Sequence, residues 1–180
     1  MKIKRLLVGP LSSNCYLVFS EKELLIIDPG AEAEKILGEV GKIGIQPKYI
    51  IATHYHHDHV SALEEIRRKT GAKSLIHQQE KDFINFEIDR FLQGGDKIGV
   101  GDNILEIIHT PGHTQWGICL IGEESAFVGD TLFENGFGRT DFPGGSMKDL
   151  EKSLKRLSEL LKPGITVYPG HGEPFNINNK

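Results

Sequence analysis

Short apolar runs separated by turn residues open the chain. Leu6 to Gly9, Cys15 to Phe19 and Leu24 to Asp28 each have the length and composition of a strand. Apolar residues at helical spacing then predict a helix over 31–40, and the run over 48–52 has the character of another strand. The first quarter of the sequence therefore predicts a meander of strands that continues into a helix and a further strand.

A polar segment over 53–59 interrupts this pattern. After this segment, Leu63 and Ile66 form an apolar stripe that predicts one helix over 58–70, with Gly71 as its end. Lys73 to His77 is a further predicted strand. Residues 78–100 contain several aromatic side chains but no clear period, so a helix and a lid over a pocket both stay open for this segment.

The second half repeats the layout of the first. Strand-like runs cover 104–109, 117–121 and 125–128, and a last one covers 165–168. Ser146, with Asp149 three residues later, resembles a helix cap before an apolar stripe that ends at Leu161. Two such halves predict an α/β fold of one domain over 1–180, in which two mixed sheets face each other under covering helices, with a site along one edge.

Composition narrows the class of protein. The chain has 180 residues, 38% of them hydrophobic and 26% charged, and contains no apolar run long enough to cross a bilayer. A formal net charge of −4 without a basic block disfavours nucleic acid as a partner. Cys15 and Cys119 lie in apolar runs outside any C-x-x-C pair, so we expect buried free thiols in a reducing cytoplasm.

Four potential metal ligands lie close together after the strand over 48–52. His54, His56, Asp58 and His59 have the spacing H-x-H-x-D-H. Side chains two positions apart on an extended segment point the same way, so His54 and His56 can converge on one ion. Asp58 and His59 then begin a predicted helix, where they can face a second ion.

Three further fragments combine a strand end, a glycine and one potential ligand. A single histidine or aspartate on a loop is more often a turn or cap residue. Their joint occurrence with the first cluster favours a metal site. The fragments are Thr110-Pro111-Gly112-His113-Thr114, Val128-Gly129-Asp130-Thr131 and Tyr168-Pro169-Gly170-His171-Gly172.

This order of ligands resembles that of the metallo-β-lactamase superfamily, from the Asp28-Pro29-Gly30 turn to His171. The resemblance implies an αββα sandwich with two divalent metal ions at the sheet edges. It also implies an activated hydroxide between the ions as the nucleophile. Carried over by position, His54, His56 and His113 hold one metal, Asp58, His59 and His171 hold the other, and Asp130 bridges them. Imidazole and carboxylate suit zinc, which we place first, and also iron or manganese.

Within that superfamily, the runs Gly129 to Phe133 and Gly138 to Gly145 look most like the glyoxalase II branch, the hydroxyacylglutathione hydrolases. The resemblance implies hydrolysis of a small-molecule thioester, with Asp58 taking part in proton transfer. Arg139 stands where those enzymes have a lysine, and Asp141 where they have a tyrosine. Only nine residues follow His171, so we expect no C-terminal glutathione-binding helical domain, and the thiol carrier is left open.

Two other residues and two other functions enter as hypotheses. Arg139 is a candidate for binding an anion on the substrate, or else an ordinary surface arginine. Asp28 caps a helix, orients a ligating histidine from behind, or does both. The 138–142 run also resembles persulfide dioxygenases, which use one iron held by two histidines and an aspartate, here His54, His113 and Asp130. A metal-binding module without catalysis is the third possibility.

Overall fold

Two six-stranded β-sheets face each other in the computed structural model, which describes residues 1–178. The last two residues of the predicted domain, 179 and 180, lie outside the described part. The first sheet contains β1 (Lys2–Val8), β2 (Ser13–Phe19), β3 (Leu24–Ile27), β4 (Pro47–Ile51), β5 (Lys73–His77) and β6 (Arg90–Leu92), in that order. Its first three strands pair antiparallel and its last four parallel, so the sheet is mixed.

The second sheet is also mixed. Its strands are β7 (Lys97–Val100), β8 (Asn103–His109), β9 (Ile118–Ile121), β10 (Ser125–Gly129), β13 (Thr166–Pro169) and β14 (Phe175–Asn176). Their order across the sheet is β14-β13-β10-β9-β8-β7, and β10 and β13 are the parallel pair. A separate two-stranded hairpin consists of β11 (Leu132–Phe133) and β12 (Gly136–Phe137).

Helices cover the outer face of each sheet. α1 (Ala33–Ile43), α2 (His57–Val60) and α3 (Leu63–Thr70) pack on the first sheet, and α4 (Met147–Leu160) packs on the second. The Ser146 hydroxyl accepts a hydrogen bond from the Asp149 backbone N–H (3.3 Å), as the capping pattern predicts. A 3-10 helix covers Gln78–Phe83. These layers confirm the predicted αββα sandwich.

Successive side chains along the strands point to opposite faces of the first sheet, which produces an apolar layer on each face. Cys15 and Leu17 of β2 face the helices, whereas Tyr16 and Val18 face the second sheet. All four side chains are buried. Each fully buried side chain of this size stabilises the fold by roughly 1.5–3 kcal/mol relative to an exposed one. The inter-sheet layer is the common core from which the loops at one edge project.

The single helix predicted over 58–70 is wrong, because the chain breaks between α2 and α3. The Ala62 N–H donates to the Pro29 carbonyl oxygen (3.0 Å) instead of continuing the helical ladder. The turn that supplies this acceptor packs so closely that a Cβ on Gly30 would lie 1.6 Å from the Asp58 carbonyl oxygen. A contact from a distant turn therefore ends α2 after four residues.

Other boundaries shift by a few residues. α1 continues past Gly41 and ends at Gly44, whose φ of 75° gives the left-handed cap. The unassigned segment over 78–100 contains the 3-10 helix and the short strands β6 and β7. Within residues 1–178, no helix is long and apolar enough to span a bilayer.

Candidate metal centre

The predicted ligands follow the carboxyl ends of four strands at one edge of the sandwich. The H-x-H-x-D-H segment follows β4, and His113, Asp130 and His171 follow β8, β10 and β13. His54, His56 and His113 form one group whose nitrogen atoms lie within 4.8 Å of one another. Within it, His56 Nδ1 and His113 Nε2 are 2.9 Å apart. Three imidazoles from both sheets thus point at one place.

A second group forms beside the first. Asp58, His59 and His171 place one ligand atom each within 4.8 Å of one another. Asp58 Oδ2 lies 3.1 Å from His171 Nε2 and 3.4 Å from His59 Nε2. This group combines two imidazoles with a carboxylate, which is a common ligand set for a divalent cation.

Asp130 lies between the two groups. One of its carboxylate oxygens is 3.6 Å from His113 Nε2 and 3.6 Å from His171 Nε2, and the other is 3.5 Å from His59 Nε2. The structure therefore brings all seven predicted ligands together, with one carboxylate in reach of both groups.

The fit of cations to this centre follows from its buried polar atoms. His54 Nε2, His59 Nε2 and Asp130 Oδ1 are buried and have no hydrogen-bond partner among the described residues. An unsatisfied buried polar group ordinarily costs about 1–3 kcal/mol. Converging nitrogen and oxygen lone pairs without partners are what a bound cation would satisfy, so the residues present fit divalent metal ions. With no thiolate in the set, zinc, iron and manganese all suit it.

Asp28 lies behind the centre and fixes the orientation of two imidazoles. Its Oδ2 accepts from the His59 Nδ1–H (3.0 Å) and from the Thr53 hydroxyl (2.7 Å). Since that hydroxyl proton is committed to Asp28, the Thr53 oxygen accepts from the His54 Nδ1–H (3.0 Å). Both imidazoles then keep the Nε2 lone pair for the centre.

The alternative helix-capping role of Asp28 is wrong. α1 begins at Ala33, and Glu32 occupies the N-cap position. Asp28 itself has φ 52°, in the left-handed region, and is 1% exposed. A short polar residue tolerates that conformation better than a bulky one, and here it turns the carboxylate inward, toward Thr53 and His59.

Arg139 reaches the centre through its backbone. Its carbonyl oxygen accepts from the His113 Nδ1–H (2.7 Å), which leaves Nε2 of that ring for a cation. Its guanidinium donates to both carboxylate oxygens of Asp141 (2.7 and 2.6 Å) and lies 3.9 Å from the centroid of the Phe142 ring. The side chain is 56% exposed. The predicted anion-binding fork is thus already paired with a neighbouring carboxylate.

The two ligand groups differ in their electrostatics. Burial, together with the neighbouring His113, lowers the pKa of His56 to about 4, and burial and nearby imidazoles lower the pKa of His54 well below its usual range. Around His59 burial acts in the same direction, but the carboxylates of Asp28, Asp130 and Asp58 outweigh it and raise the pKa to about 9. The carboxylates whose negative charge would balance two buried cations therefore surround His59 and not His54 or His56.

Glu80 is a buried residue of the centre that sequence reasoning missed. Its side chain is 0% exposed. One oxygen accepts from the Tyr55 N–H (2.6 Å), between His54 and His56, and the other accepts from the Thr114 hydroxyl (2.8 Å), next to His113. Burial raises its pKa from 4.5 to about 7, although these hydrogen bonds act in the opposite direction. Glu80 ties together the two loops that carry the three-histidine group.

The beginning of β2 supports the second group. The Ser13 hydroxyl donates to Asp58 Oδ2 (2.8 Å). The buried Asn14 amide donates to the carbonyl oxygens of Pro169 and Gly172 (both 2.8 Å), which flank the loop of His171. Both residues form hydrogen bonds to loops that are distant in sequence, so no local motif marks them.

Comparisons with known proteins agree with this geometry. The family model described as "Metallo-beta-lactamase superfamily" matches residues 8–171. The "Probable metallo-hydrolase YqgX" of Bacillus subtilis is 33% identical, over 98% of this chain and 93% of its own length. The "Hydroxyacylglutathione hydrolase GloC" of Haemophilus influenzae is 34% identical, over 100% and 95%. The crystal structure of TTHA1623 in a di-iron-bound form is 31% identical, with a TM-score of 0.88, and the match covers 96% of this chain and 94% of that one.

Proposed function

Because the chain belongs to the metallo-beta-lactamase superfamily, we propose that it is a binuclear metal-dependent hydrolase that cleaves a small-molecule thioester or a related ester. The observation that carries this proposal is Asp130, whose carboxylate is within 3.6 Å of imidazoles from both ligand groups. A site for one cation would need only one of these groups.

The relatives support the class of reaction and the number of metals. The name of GloC assigns hydroxyacylglutathione hydrolysis to that protein, which is 34% identical to this chain. TTHA1623 holds two iron ions in the same fold. We extend thioester hydrolysis and two cations to this chain on those grounds, with zinc as the first candidate metal and iron or manganese as alternatives.

Two bound cations would supply a polarised acyl carbonyl and a water whose pKa is low enough to yield hydroxide near neutral pH. The chain's own residues orient the ligands and supply the negative charge of the site. Burial opposes ionisation of Asp58, but the hydrogen bond from His171 and the nearby imidazoles outweigh it and lower the pKa of this carboxyl. Asp58, held by the Ser13 hydroxyl, therefore stays ionised and offers an anionic oxygen to the second ligand group. A role of Asp58 in proton transfer remains part of the proposal and depends on its position at the centre.

The proposal is tested by measuring turnover and metal content on the same preparation. Purified protein of known zinc, iron and manganese content is assayed against thioesters, simple esters and lactones. We expect two metals per chain and the highest kcat/KM on thioesters. One iron per chain with O2 consumption on a thiol-bound persulfide would favour the dioxygenase alternative. Two metals with no turnover on any ester would favour a non-catalytic module.

Arg139 is the proposed contact for an anionic group on the substrate. Such a group must compete with Asp141 for the exposed guanidinium, so we expect a small effect, about fivefold in KM. Arg139→Ala should raise KM for a carboxylate-bearing thioester and leave KM for a neutral one unchanged. Asp141→Asn, which frees the guanidinium, should lower KM for the carboxylate-bearing substrate. If neither variant changes KM, Arg139 does not contact the anion.

A further inference from the structure

A groove of about 600 Å³ opens beside the three-histidine group. We call it the aromatic groove and define its apolar wall by Tyr55, Val60, Phe83, Ile84 and Phe86. His56, a proposed metal ligand, also lines it. The groove is therefore continuous with the proposed reaction centre, and its volume lies within the range of roughly 300–1,000 Å³ typical of small-molecule pockets.

Phe83 is a large apolar side chain of this groove that is exposed and also held in place. It is 52% exposed, yet its ring stacks on Tyr55 with centroids 4.5 Å apart and planes inclined by 20°. Tyr55 is held in turn by the hydrogen bond that its hydroxyl donates to the Pro143 carbonyl oxygen (3.3 Å). A large apolar surface that is exposed beside a catalytic centre and held in place from below is typical of a ligand-binding site.

The charge of the groove favours an uncharged occupant over an anionic one. Among the described residues its lining contains no Lys or Arg, and Glu64 is its one carboxylate. An anion placed there would lose solvation and gain no counter-charge. An uncharged apolar segment would gain from burial against the aromatic wall.

A second cavity, of about 420 Å³, borders His171 and carries more negative charge than the groove. Its lining contains the carboxylates of Glu134 and Glu173 and the amide of Asn135, together with Phe133 and Phe137. A thioester bound across the two ligand groups would therefore extend one end into each cavity. The thiol carriers of metabolism are rich in amide N–H donors, which the two carboxylates of this cavity can accept. The second cavity therefore suits the carrier, and the aromatic groove suits the acyl chain.

We propose that the aromatic groove binds the acyl chain of the substrate, and that this substrate is a thioester of a medium-chain aliphatic or aryl acid. The proposal rests on the proposed thioester hydrolysis and specifies its substrate class. Phe83 and Tyr55 form the surface on which the chain lies, and His56 marks where the chain reaches the reacting carbonyl.

The test compares chain length on the acyl side with chain length on the thiol side. Acetyl and octanoyl N-acetylcysteamine differ in the acyl chain, whereas S-octyl thioacetate carries its long chain on sulfur. We expect the metal-loaded enzyme to prefer octanoyl over acetyl N-acetylcysteamine at least tenfold in kcat/KM. Phe83→Ala should lose about tenfold on the octanoyl substrate and leave the acetyl substrate unchanged. Phe91→Ala, which truncates an exposed phenylalanine outside the groove, is the matched control and should leave both unchanged.

A binding measurement separates this inference from the proposed reaction. The thioether S-octyl N-acetylcysteamine cannot be hydrolysed, and calorimetry should show its affinity falling about tenfold in Phe83→Ala but not in Phe91→Ala. That result without turnover of any thioester would support the groove and overturn the proposed hydrolysis. Thioester turnover without a chain-length preference, or with a preference only for S-octyl thioacetate, would overturn the groove and leave the hydrolysis standing.

Discussion

The orientation of three of the five imidazoles at the centre is fixed by a polar group behind the ring. Asp28 accepts the Nδ1–H of His59, Thr53 accepts that of His54, and a backbone carbonyl oxygen accepts that of His113. Each of these hydrogen bonds fixes the tautomer in which Nε2 is free to bind a cation. The ligands alone do not make the site, because an imidazole with its proton on Nε2 would be unable to bind.

Asp28→Asn tests this dependence. The amide keeps the volume of the carboxylate, but its NH2 group can no longer accept from both His59 and Thr53. We expect metal affinity to fall by about 10–100-fold, as is typical for the loss of such a supporting carboxylate. Competition with a chromophoric chelator measures the affinity. Glu32→Gln, which alters a nearby acid outside the centre, is the control, and equal affinities in both variants would contradict the role of Asp28.

The raised pKa of Glu80 predicts that the free energy of unfolding depends on pH. Its pKa is raised from 4.5 to about 7 in the folded chain, so above pH 4.5 the folded state holds a proton that the unfolded state releases. The free energy of unfolding should therefore decrease between about pH 4.5 and 7, by roughly 3 kcal/mol from this group. In Glu80→Gln that part of the slope should vanish. Denaturant unfolding at pH 5 and pH 7.5 measures it.

A matched control separates burial from charge in this experiment. Glu106 lies on β8 and is exposed, so Glu106→Gln should keep the wild-type slope. If Glu80→Gln also keeps that slope, the buried carboxyl is ionised in the folded state throughout this range, and the hydrogen bonds from Tyr55 and Thr114 outweigh its burial.

The ligands could be predicted from the sequence, whereas the residues that hold them could not. His54, His56, Asp58 and His59 share one local motif with a chemical meaning. Glu80 lies in a polar segment and becomes significant only because the fold brings it against Tyr55 and Thr114, which are 25 and 34 residues away. Contacts of this kind leave no periodicity and no spacing in a single sequence.

At the level of elements, strands and helices with several buried side chains were predictable within a few residues, and the short elements were not. Lys73–His77 is a wholly predictable strand, because its apolar run is bounded by polar residues. β6 has three residues and is formed through its parallel pairing with β5, not through its own composition. The break between α2 and α3 likewise depends on the Pro29 carbonyl, 33 positions before the N–H that it accepts.

In the loop after β13, one added methyl group should have a strong effect on metal binding. A Cβ on Gly170 would lie 2.2 Å from Asp130 Oδ1 and 2.7 Å from His59 Cε1. Gly170→Ala should therefore displace Asp130 or His59 and abolish most metal binding and turnover. Metal analysis and kcat/KM on the purified variant measure this. Gly38→Ala is the control, because its Cβ would meet nothing within 4 Å on α1, and it should stabilise the fold by about 0.5–1 kcal/mol. Full metal content in Gly170→Ala would contradict the close approach.

At the scale of the whole molecule, the centre joins the two halves of the sandwich. Four ligands follow β4 of the first sheet, and the other three follow strands of the second. Cations held between them would bind the folded state and not the separated halves, so they should add to its stability by mass action. The proposed reaction and the stability of the fold thus depend on the same seven side chains.

Removal of metal should lower the thermal midpoint. With free metal at about 100 times its Kd, binding contributes about 3 kcal/mol, which is about 5–10 °C for a chain of this size. Calorimetry before and after dialysis against a chelator, and again after reloading with zinc or iron, measures the shift. His57→Ala removes an exposed imidazole that belongs to neither ligand group and should keep the full shift. An unchanged midpoint in the wild type would contradict a stabilising role of the cations.

Trp116 is the one tryptophan of the chain, and its position gives the protein an internal fluorescent reporter. The indole stands three residues after His113 and stacks on His77 and His109, with ring centroids 5.6 Å away in both cases. Tryptophan emission therefore comes from a single place, beside the loop that carries His113. Loading and release can be followed in real time without a label, and a signal that stays constant while metal leaves would mean that this loop is rigid from the start.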